Sequence, residues 1–259
     1  MKSASSSLNK RRVSIIIPTL NEEKLIQKTL SQFDKKLKDS LNFDFEVIVS
    51  DGGSWDNTLE KIDEIKGTEY VPDKITVHKE KYRQNISMGR NRGAQESEGD
   101  VLIFFNADTY VNDMGSFINT ALRVLEDEKI AAIACPIYVF PEEEIFMDKL
   151  FHGTYNRYVE LLDKFFMGMG RGECHIVKKK LFDKIGGYDE KLFAGEDYDL
   201  YKRLKKYGKI HFAKEMVVYE SPRRYRKFGY ARVFWDWYLN SVAVTFLHKS
   251  SSDEWEPVR

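Results

Sequence analysis

Val101-Leu102-Ile103-Phe104-Phe105-Asn106-Ala107-Asp108-Thr109 is the stretch on which the fold turns. Its five consecutive apolar residues read as a strand buried on both faces, as in a parallel sheet covered by helices. The polar triplet Asn106-Ala107-Asp108 stands at the carboxyl end of that strand. Open parallel sheets bind ligands in the crevice outside the carboxyl ends of their strands. A carboxylate there is costly unless it faces solvent, a cation or a ligand. Two readings follow: a metal-assisted phosphate site, or a buried strand followed by a plain polar turn.

The segments on either side share that layout. Val13-Ser14-Ile15-Ile16-Ile17-Pro18 reads as a short buried strand stopped by proline. A helix is predicted over 21–38, with Asn21 as its N-cap and Glu22 and Glu23 in its positive first turn. A second strand over 45–50 runs into Asp51-Gly52-Gly53-Ser54. A helix over 56–66, a weaker strand over 74–78 and a helix through 89–94 lead to the strand at 101–105. Such alternation predicts a parallel sheet with right-handed crossovers. Further on, the pattern gives a helix at 117–127, a strand at 130–135 and a helix at 142–166. A glycine loop at 168–172, a strand at 173–177 and helices at 178–184 and 197–207 come next. A short strand at 217–219, a basic stretch at 222–227 and an aromatic helix at 230–248 complete the chain.

Bulk properties narrow the function classes. A length of 259 residues fits one large α/β domain with a C-terminal extension. The 41 Lys and Arg balance 41 Asp and Glu, so the basic footprint of a nucleic-acid binder is missing. Cys135 and Cys174 lie far apart in sequence, without metal-ligand spacing, and read as free buried thiols in a reducing cytoplasm. Residues 1–12 are rich in Ser and Lys and lack the apolar core of a secretory signal, so they read as a lead-in. No apolar run is long enough to span a bilayer as a helix.

If the three strands are neighbours, Pro18-Thr19-Leu20-Asn21-Glu22, Asp51-Gly52-Gly53-Ser54 and Asn106-Ala107-Asp108 face one crevice. Asp51 beside two glycines permits close approach of a flat ring or a phosphate, and its carboxylate can accept from the ring N–H of uracil or guanine. The same residues also make an ordinary turn. Arg90 can pair with a diphosphate, and Asp108 suits Mg²⁺ or Mn²⁺ bridging two phosphates. Asp197 either caps a helix or serves as a general base on an acceptor hydroxyl. His152, His175, His211 and His248 show no paired ligand spacing and read as structural or exposed, with His175 nearest the acceptor side. Tyr82 and Arg83 read as a mobile lid. Arg223, Arg224, Arg226 and Lys227 precede Tyr230, Phe234, Trp237 and Tyr238, which share a helix face. That helix either packs on the domain or meets an anionic membrane surface or a lipid diphosphate. Asp236 and Asn240 argue against deep insertion.

The order and spacing of these segments over residues 13–221 resemble the family-2 glycosyltransferases of the GT-A fold. Further markers are Gly89-Arg90-Asn91-Arg92-Gly93-Ala94, Gly170-Arg171-Gly172, and Lys184-Ile185-Gly186-Gly187-Tyr188-Asp189-Glu190 running into Gly195-Glu196-Asp197. The resemblance implies a Rossmann-like, mostly parallel sheet flanked by helices. It implies a nucleotide-binding half at 13–110, an acceptor half at 111–221 and a C-terminal aromatic and basic helical extension at 222–259. By position, Pro18, Thr19, Asn21 and Glu22 would line the nucleotide pocket, and Asp51 with Gly52 would read the base. Arg90 would approach the base or the diphosphate, Asn106 and Ala107 the ribose or sugar, and Asp108 would bind the divalent cation. Gly170 and Gly172 would border acceptor and donor sugar, and Asp197, with Glu196 beside it, would be the base of an inverting transfer. The implied partners are a UDP- or GDP-sugar and a sugar or lipid-linked acceptor. The implied location is cytoplasmic, with peripheral membrane contact through the C-terminal helix.

Two departures, at Asn106 and at Glu220-Ser221, bear on activity, and a third argues against a large polymerase. The family's Asp-x-Asp motif begins here with Asn106, which can still donate and accept toward a ribose. Many relatives carry a His just after the strand that here reads Val217-Val218-Tyr219, whereas this chain has Glu220-Ser221. Glu220 reads as an oxygen ligand or, preferably, as a surface acid at a strand end. The Gln-x-x-Arg-Trp motif of processive synthases is missing. A non-catalytic nucleotide- or glycan-binding relative is the alternative that these departures keep open. A nucleotidyltransferase is disfavoured, because Pro18-Thr19-Leu20-Asn21 is not a Gly-rich phosphate loop.

Overall fold

The apolar runs of the amino-terminal half become the central strands of a seven-stranded sheet. The computed structural model describes residues 12–40, 43–68, 75–79, 84–165 and 167–247. Strands β1 (Arg12–Thr19), β2 (Asp44–Asp51), β3 (Ile75–Lys79) and β4 (Val101–Phe105) pair in parallel, with β1 between β2 and β4. Helices α1 (Ile26–Leu30), α2 (Lys35–Ser40), α3 (Thr58–Ile65) and α4 (Ile86–Gln95) fill the connections. All five side chains of β4 are buried, as a strand covered on both faces requires.

Successive side chains of these strands serve opposite faces. Ile15, Ile17, Val47, Val49, Ile103 and Phe105 join one apolar layer with Ile26, Leu30 and Phe117. Ile16, Ile48, Leu102 and Phe104 join the other, with Ala94, Phe182 and Tyr201. Both layers leave the carboxyl ends of β1, β2 and β4 at one edge.

The second half completes the sheet and adds a smaller one. Strand β5 (Thr109–Tyr110) and α5 (Met114–Val124) lead to β6 (Ile130–Ala134), β7 (Ile137–Val139) and the long α6 (Phe146–Phe165). Next come β8 (Cys174–Lys178), α7 (Lys179–Lys184), α8 (Glu196–Leu204), β9 (Lys209–Phe212) and β10 (Val218–Glu220). The main sheet has the order β3-β2-β1-β4-β8-β6-β9, with β8 antiparallel to β4 and β6. A three-stranded sheet, β5-β10-β7, stands beside it. The two- to four-residue strands β5, β7 and β9 were not predicted, because so short a run carries no readable alternation.

Several boundaries differ from expectation for local reasons. The helix predicted over 21–38 is two short helices, and Asn21 is not its cap. Asn21 takes a left-handed conformation (φ 55°), donates its N–H to Ser54 Oγ (2.8 Å) and accepts from the Trp55 N–H (2.9 Å). A short amide side chain tolerates this conformation and here ties the end of β1 to the loop after β2. The helix predicted from 142 begins at Phe146. The basic stretch forms α9 (Arg223–Phe228), and α10 (Tyr230–Leu247) follows. Tyr82, Arg83, His248 and residues 1–11 lie outside the described residues.

Helices α9 and α10 are packed on the domain through Tyr225, Arg226, Tyr230 and Trp237. Trp237 of α10 meets Tyr155 and Phe151 of α6, with ring centroids 5.1 and 5.9 Å apart. The wholly buried Asp148 accepts from Arg226 of α9 and from Tyr230. Among the described residues no helix is long and apolar enough to cross a membrane. Cys135 and Cys174 are free and buried, and lie against each other despite their distance in sequence.

The loop between α6 and β8 is anchored by Asp163, whose Oδ1 accepts the Met169 N–H at 2.6 Å. Burial pushes the Asp163 carboxyl up to about 7. The unfolded chain releases this proton near the ordinary value of 3.8, so the contribution is full below that pH and is lost as pH rises toward 7. Relative to an Asp163→Asn variant, the wild-type melting temperature is expected to fall between about pH 4 and 7. A difference that stays constant across that range in a thermal-melting series contradicts this assignment.

Candidate active site

The carboxyl ends of β1, β2 and β4 open into a cavity of about 400 Å³. Pro18, Thr19 and Glu22 line it after β1, and Gly52 lines it after β2. Asn106, Ala107 and Asp108 follow β4 onto the same wall. Arg90 of α4, Gly172 of the glycine loop and the opening residues of α8, Glu196 and Asp197, bound the remainder. Eleven residues expected from the sequence therefore share one cavity, whereas Asn21, Asp51 and Gly170 stand off its wall.

Each of the three has a local reason. Asn21 is occupied with Ser54 and Trp55. Asp51 is wholly buried and accepts from the N–H groups of Gly53 (3.1 Å) and Ser54 (2.9 Å) and from the Ser54 hydroxyl. Here its carboxylate fixes the turn after β2. A Cβ at Gly170 would strike the Tyr201 ring, so this glycine serves a close packing contact.

Arg90 lines the cavity although its side chain is only 1% exposed. Its Nη1 donates to Glu196 Oε1 at 2.7 Å. Its Nη2 donates to Asn106 Oδ1 at 3.0 Å and to the Gly172 carbonyl. One guanidinium thus joins α4, the end of β4, the glycine loop and the start of α8. Buried arginines persist only when paired in this way.

Asp197 sits in the first turn of α8 with its Oδ1 accepting the Tyr198 N–H (2.9 Å). Gly172 lies alongside, and a Cβ there would be 3.6 Å from Asp197 Oδ2. Burial, reinforced by the charge of Glu196, pushes the Asp197 carboxyl well above the ordinary 3.8, against the pull of Arg90.

Sequence reasoning missed two arginines as site residues. Arg171 is buried, and its Nη2 donates to Glu220 at 2.9 Å and to Glu173 at 3.4 Å. Glu220, read as a surface acid, is instead buried beside Arg171 and accepts from the Tyr225 hydroxyl at 2.7 Å. A guanidinium inside the fold requires such a counterion. His152 accepts from Arg171 Nη1 at 3.0 Å. Burial and the Arg171 charge lower the His152 value to about 3, so the ring is neutral at pH 7. His175 is buried against Tyr188 and Tyr201 rather than on the cavity wall. The second arginine, Arg223, opens α9 and reaches both Glu22 and Asp108. Its position directly after Pro222 was the available signal.

The oxygen donors present suit a hard divalent cation. Glu22 Oε1 and Asp108 Oδ2 converge on one atom, Arg223 Nη2, at 2.8 and 3.0 Å. Among the described residues no cluster of three or more His, Cys, Asp or Glu could hold a metal. A cation at Asp108 would therefore draw its other ligands from a bound diphosphate and water.

Comparison with known proteins agrees with this arrangement. Residues 14–186 match the family model described as Glycosyl transferase family 2. The probable glycosyltransferase YdaM of Bacillus subtilis (strain 168) is 24% identical over 251 residues, 91% of this chain, and the chain spans 57% of its length. The mannosyltransferase PcManGT of Pyrobaculum calidifontis, solved with GDP-Man and Mn²⁺, shares the fold at a TM-score of 0.70 and 19% identity. That match covers 93% of this chain and 64% of the other. Glucosyl-3-phosphoglycerate synthase of Mycobacterium tuberculosis, solved with Mn²⁺, UDP-glucose and phosphoglyceric acid, aligns at a TM-score of 0.59 and 16% identity. It covers 92% of this chain and 79% of its own. The mostly parallel sheet is that of the GT-A fold, and the chain belongs to glycosyl transferase family 2.

Proposed function

We propose that this chain transfers a sugar from a nucleotide-diphosphate sugar to an acceptor hydroxyl, with inversion at the anomeric carbon. One observation carries the reading: Asp108 and Asp197 belong to a single cavity at the carboxyl ends of the strands. Its donor is a UDP- or GDP-sugar, the two classes held by the neighbours described above. Pro18, Thr19, Glu22 and Gly52 would take the nucleoside, with Asn21 and Asp51 shaping the loops behind them. Asn106 and Ala107 would meet the ribose or sugar, and Gly172 would border the sugar, backed by Gly170. Asp108 would hold Mn²⁺ or Mg²⁺ together with the donor. Such a cation supplies charge stabilisation to the departing diphosphate when bound.

In the transfer, the acceptor oxygen attacks the anomeric carbon and its proton passes to Asp197. The bond from that carbon to the diphosphate oxygen breaks, and its electron pair leaves with the nucleoside diphosphate. A carboxylate whose proton affinity is raised by burial is a stronger base at neutral pH than an exposed aspartate. Glu196 acts through Arg90 as a positioning residue. The acceptor is a sugar or a lipid-linked sugar. Trp235, Tyr238 and Leu239 are exposed on α10, whose Trp237 and Asn240 line the cavity.

Melting in the presence of UDP, GDP, CMP and dTDP, each with and without Mn²⁺, tests the donor reading. One nucleoside diphosphate is expected to raise the melting temperature by binding the native state. No shift with any nucleotide contradicts it. Asp197→Asn is expected to keep that shift while transfer falls by about 10²- to 10⁴-fold. Because the Asp197 carboxyl is raised, the base form appears only at higher pH. The acid limb of kcat/KM should therefore lie well above the ordinary aspartate value of 3.8. Undiminished transfer in Asp197→Asn removes Asp197 from the role. Glu196→Ala leaves a charge buried at Arg90 without its carboxylate and should cost about 3–5 kcal/mol in denaturant unfolding.

A further inference from the structure

One guanidinium stands between the two carboxylates that face the strand ends. Arg223 Nη2 lies 2.8 Å from Glu22 Oε1 and 3.0 Å from Asp108 Oδ2, while Nη1 lies 2.8 Å from Glu22 Oε2. The pair with Glu22 is the two-pronged geometry in which arginine binds a carboxylate best. A divalent ion bound to these two oxygens would sit in the gap that Nη2 fills, at the 2.0–2.1 Å distances of Mg²⁺ coordination. The ion and the guanidinium cannot share that gap, because two positive charges at such a separation repel.

The surroundings allow the arginine to move without unfolding the domain. The segment is pinned from below by Tyr225, which is buried and donates to Glu220. The Arg223 side chain itself remains 21% exposed. Arg223 and Arg224 both line the cavity, on the wall that carries Asp108. Arginine forks fit phosphate oxygens as well as they fit carboxylates.

We propose that Arg223 is the resident cation of the donor site. In the donor-free protein it fills the gap between Glu22 and Asp108 and keeps a divalent ion out. When a nucleoside diphosphate binds, its guanidinium passes to the phosphate oxygens and Asp108 is released to a metal. A divalent ion then enters with the nucleotide and not before it. This rests on the donor-site reading given above, and it adds a diphosphate-binding residue from the C-terminal segment that the sequence resemblance does not assign.

The test uses the full chain and Mn²⁺ alone, with free ion counted by paramagnetic resonance. Wild type is expected to take up no Mn²⁺ at Asp108. Arg223→Gln should bind one ion at least about tenfold more tightly than wild type, through the two carboxylates it uncovers. That uptake should vanish when Asp108→Asn is added. Arg223→Lys keeps a positive charge and should still exclude the ion, so a fold defect in the Gln variant does not decide the result. In EDTA, the nucleoside diphosphate that stabilises wild type should still bind, and Arg223→Gln should bind it about tenfold more weakly or worse. Mn²⁺ uptake by wild type as tight as by Arg223→Gln overturns the proposal. So does nucleotide binding that is undiminished in Arg223→Gln, or that wild type loses entirely in EDTA. A wild type that binds neither UDP nor GDP, with or without Mn²⁺, overturns the donor-site reading itself.

Discussion

The buried guanidinium of Arg90 is the constraint on which the site depends. Its charge is out of water and has to be matched, and the match comes from Glu196, Asn106 and the Gly172 carbonyl. Those partners lie on three separate segments, so satisfying one side chain fixes their mutual positions. The strand end that carries Asp108 and the helix start that carries Asp197 are thereby held in the lining of one cavity. Gly93 supports the arrangement from behind, because α4 approaches β1 so closely that a Cβ there would run into Ile16.

A second buried arginine repeats the device in the lining of the same cavity. Arg171 gathers Glu173, Glu220 and His152, and so connects α6, the glycine loop and the end of β10. Arg223 completes a series of three arginines, each matched to acids from distant parts of the chain. The cavity is consequently a set of compensated charges rather than an open acidic cleft. Asp197 keeps a raised proton affinity, because burial and Glu196 outweigh the pull of Arg90, and burial with Glu173 raises Glu220 as well. The base role proposed for Asp197 and the cation exchange proposed at Asp108 both rest on this charge arrangement.

Much of this was legible in the sequence because it is local. Five apolar residues at 101–105 require a strand buried on both faces, and the three strand ends carry their polar residues at fixed offsets. The parts that were not legible are pairings across long separations. Arg171 and Glu220 are 49 residues apart, and Arg223 and Glu22 are 201 apart. No periodicity links such positions, so Glu220 read as a surface acid and Arg223 only as part of a basic cluster. Asp51 shows another limit: its type and flanking glycines suit base recognition, and the hydrogen bonds that both of its oxygens accept within the turn after β2 could not be read from the sequence. Residue identity admits both uses, and the turn geometry shows one of them.

The most direct measurement is a crystal structure of the chain with the nucleoside diphosphate that stabilises it. The account places the nucleoside against Pro18, Thr19 and Gly52 and the diphosphate between Asp108 and Arg223, with Asp197 across the cavity facing the terminal phosphate. A nucleotide bound outside this cavity, or one whose terminal phosphate points away from Asp197, contradicts it.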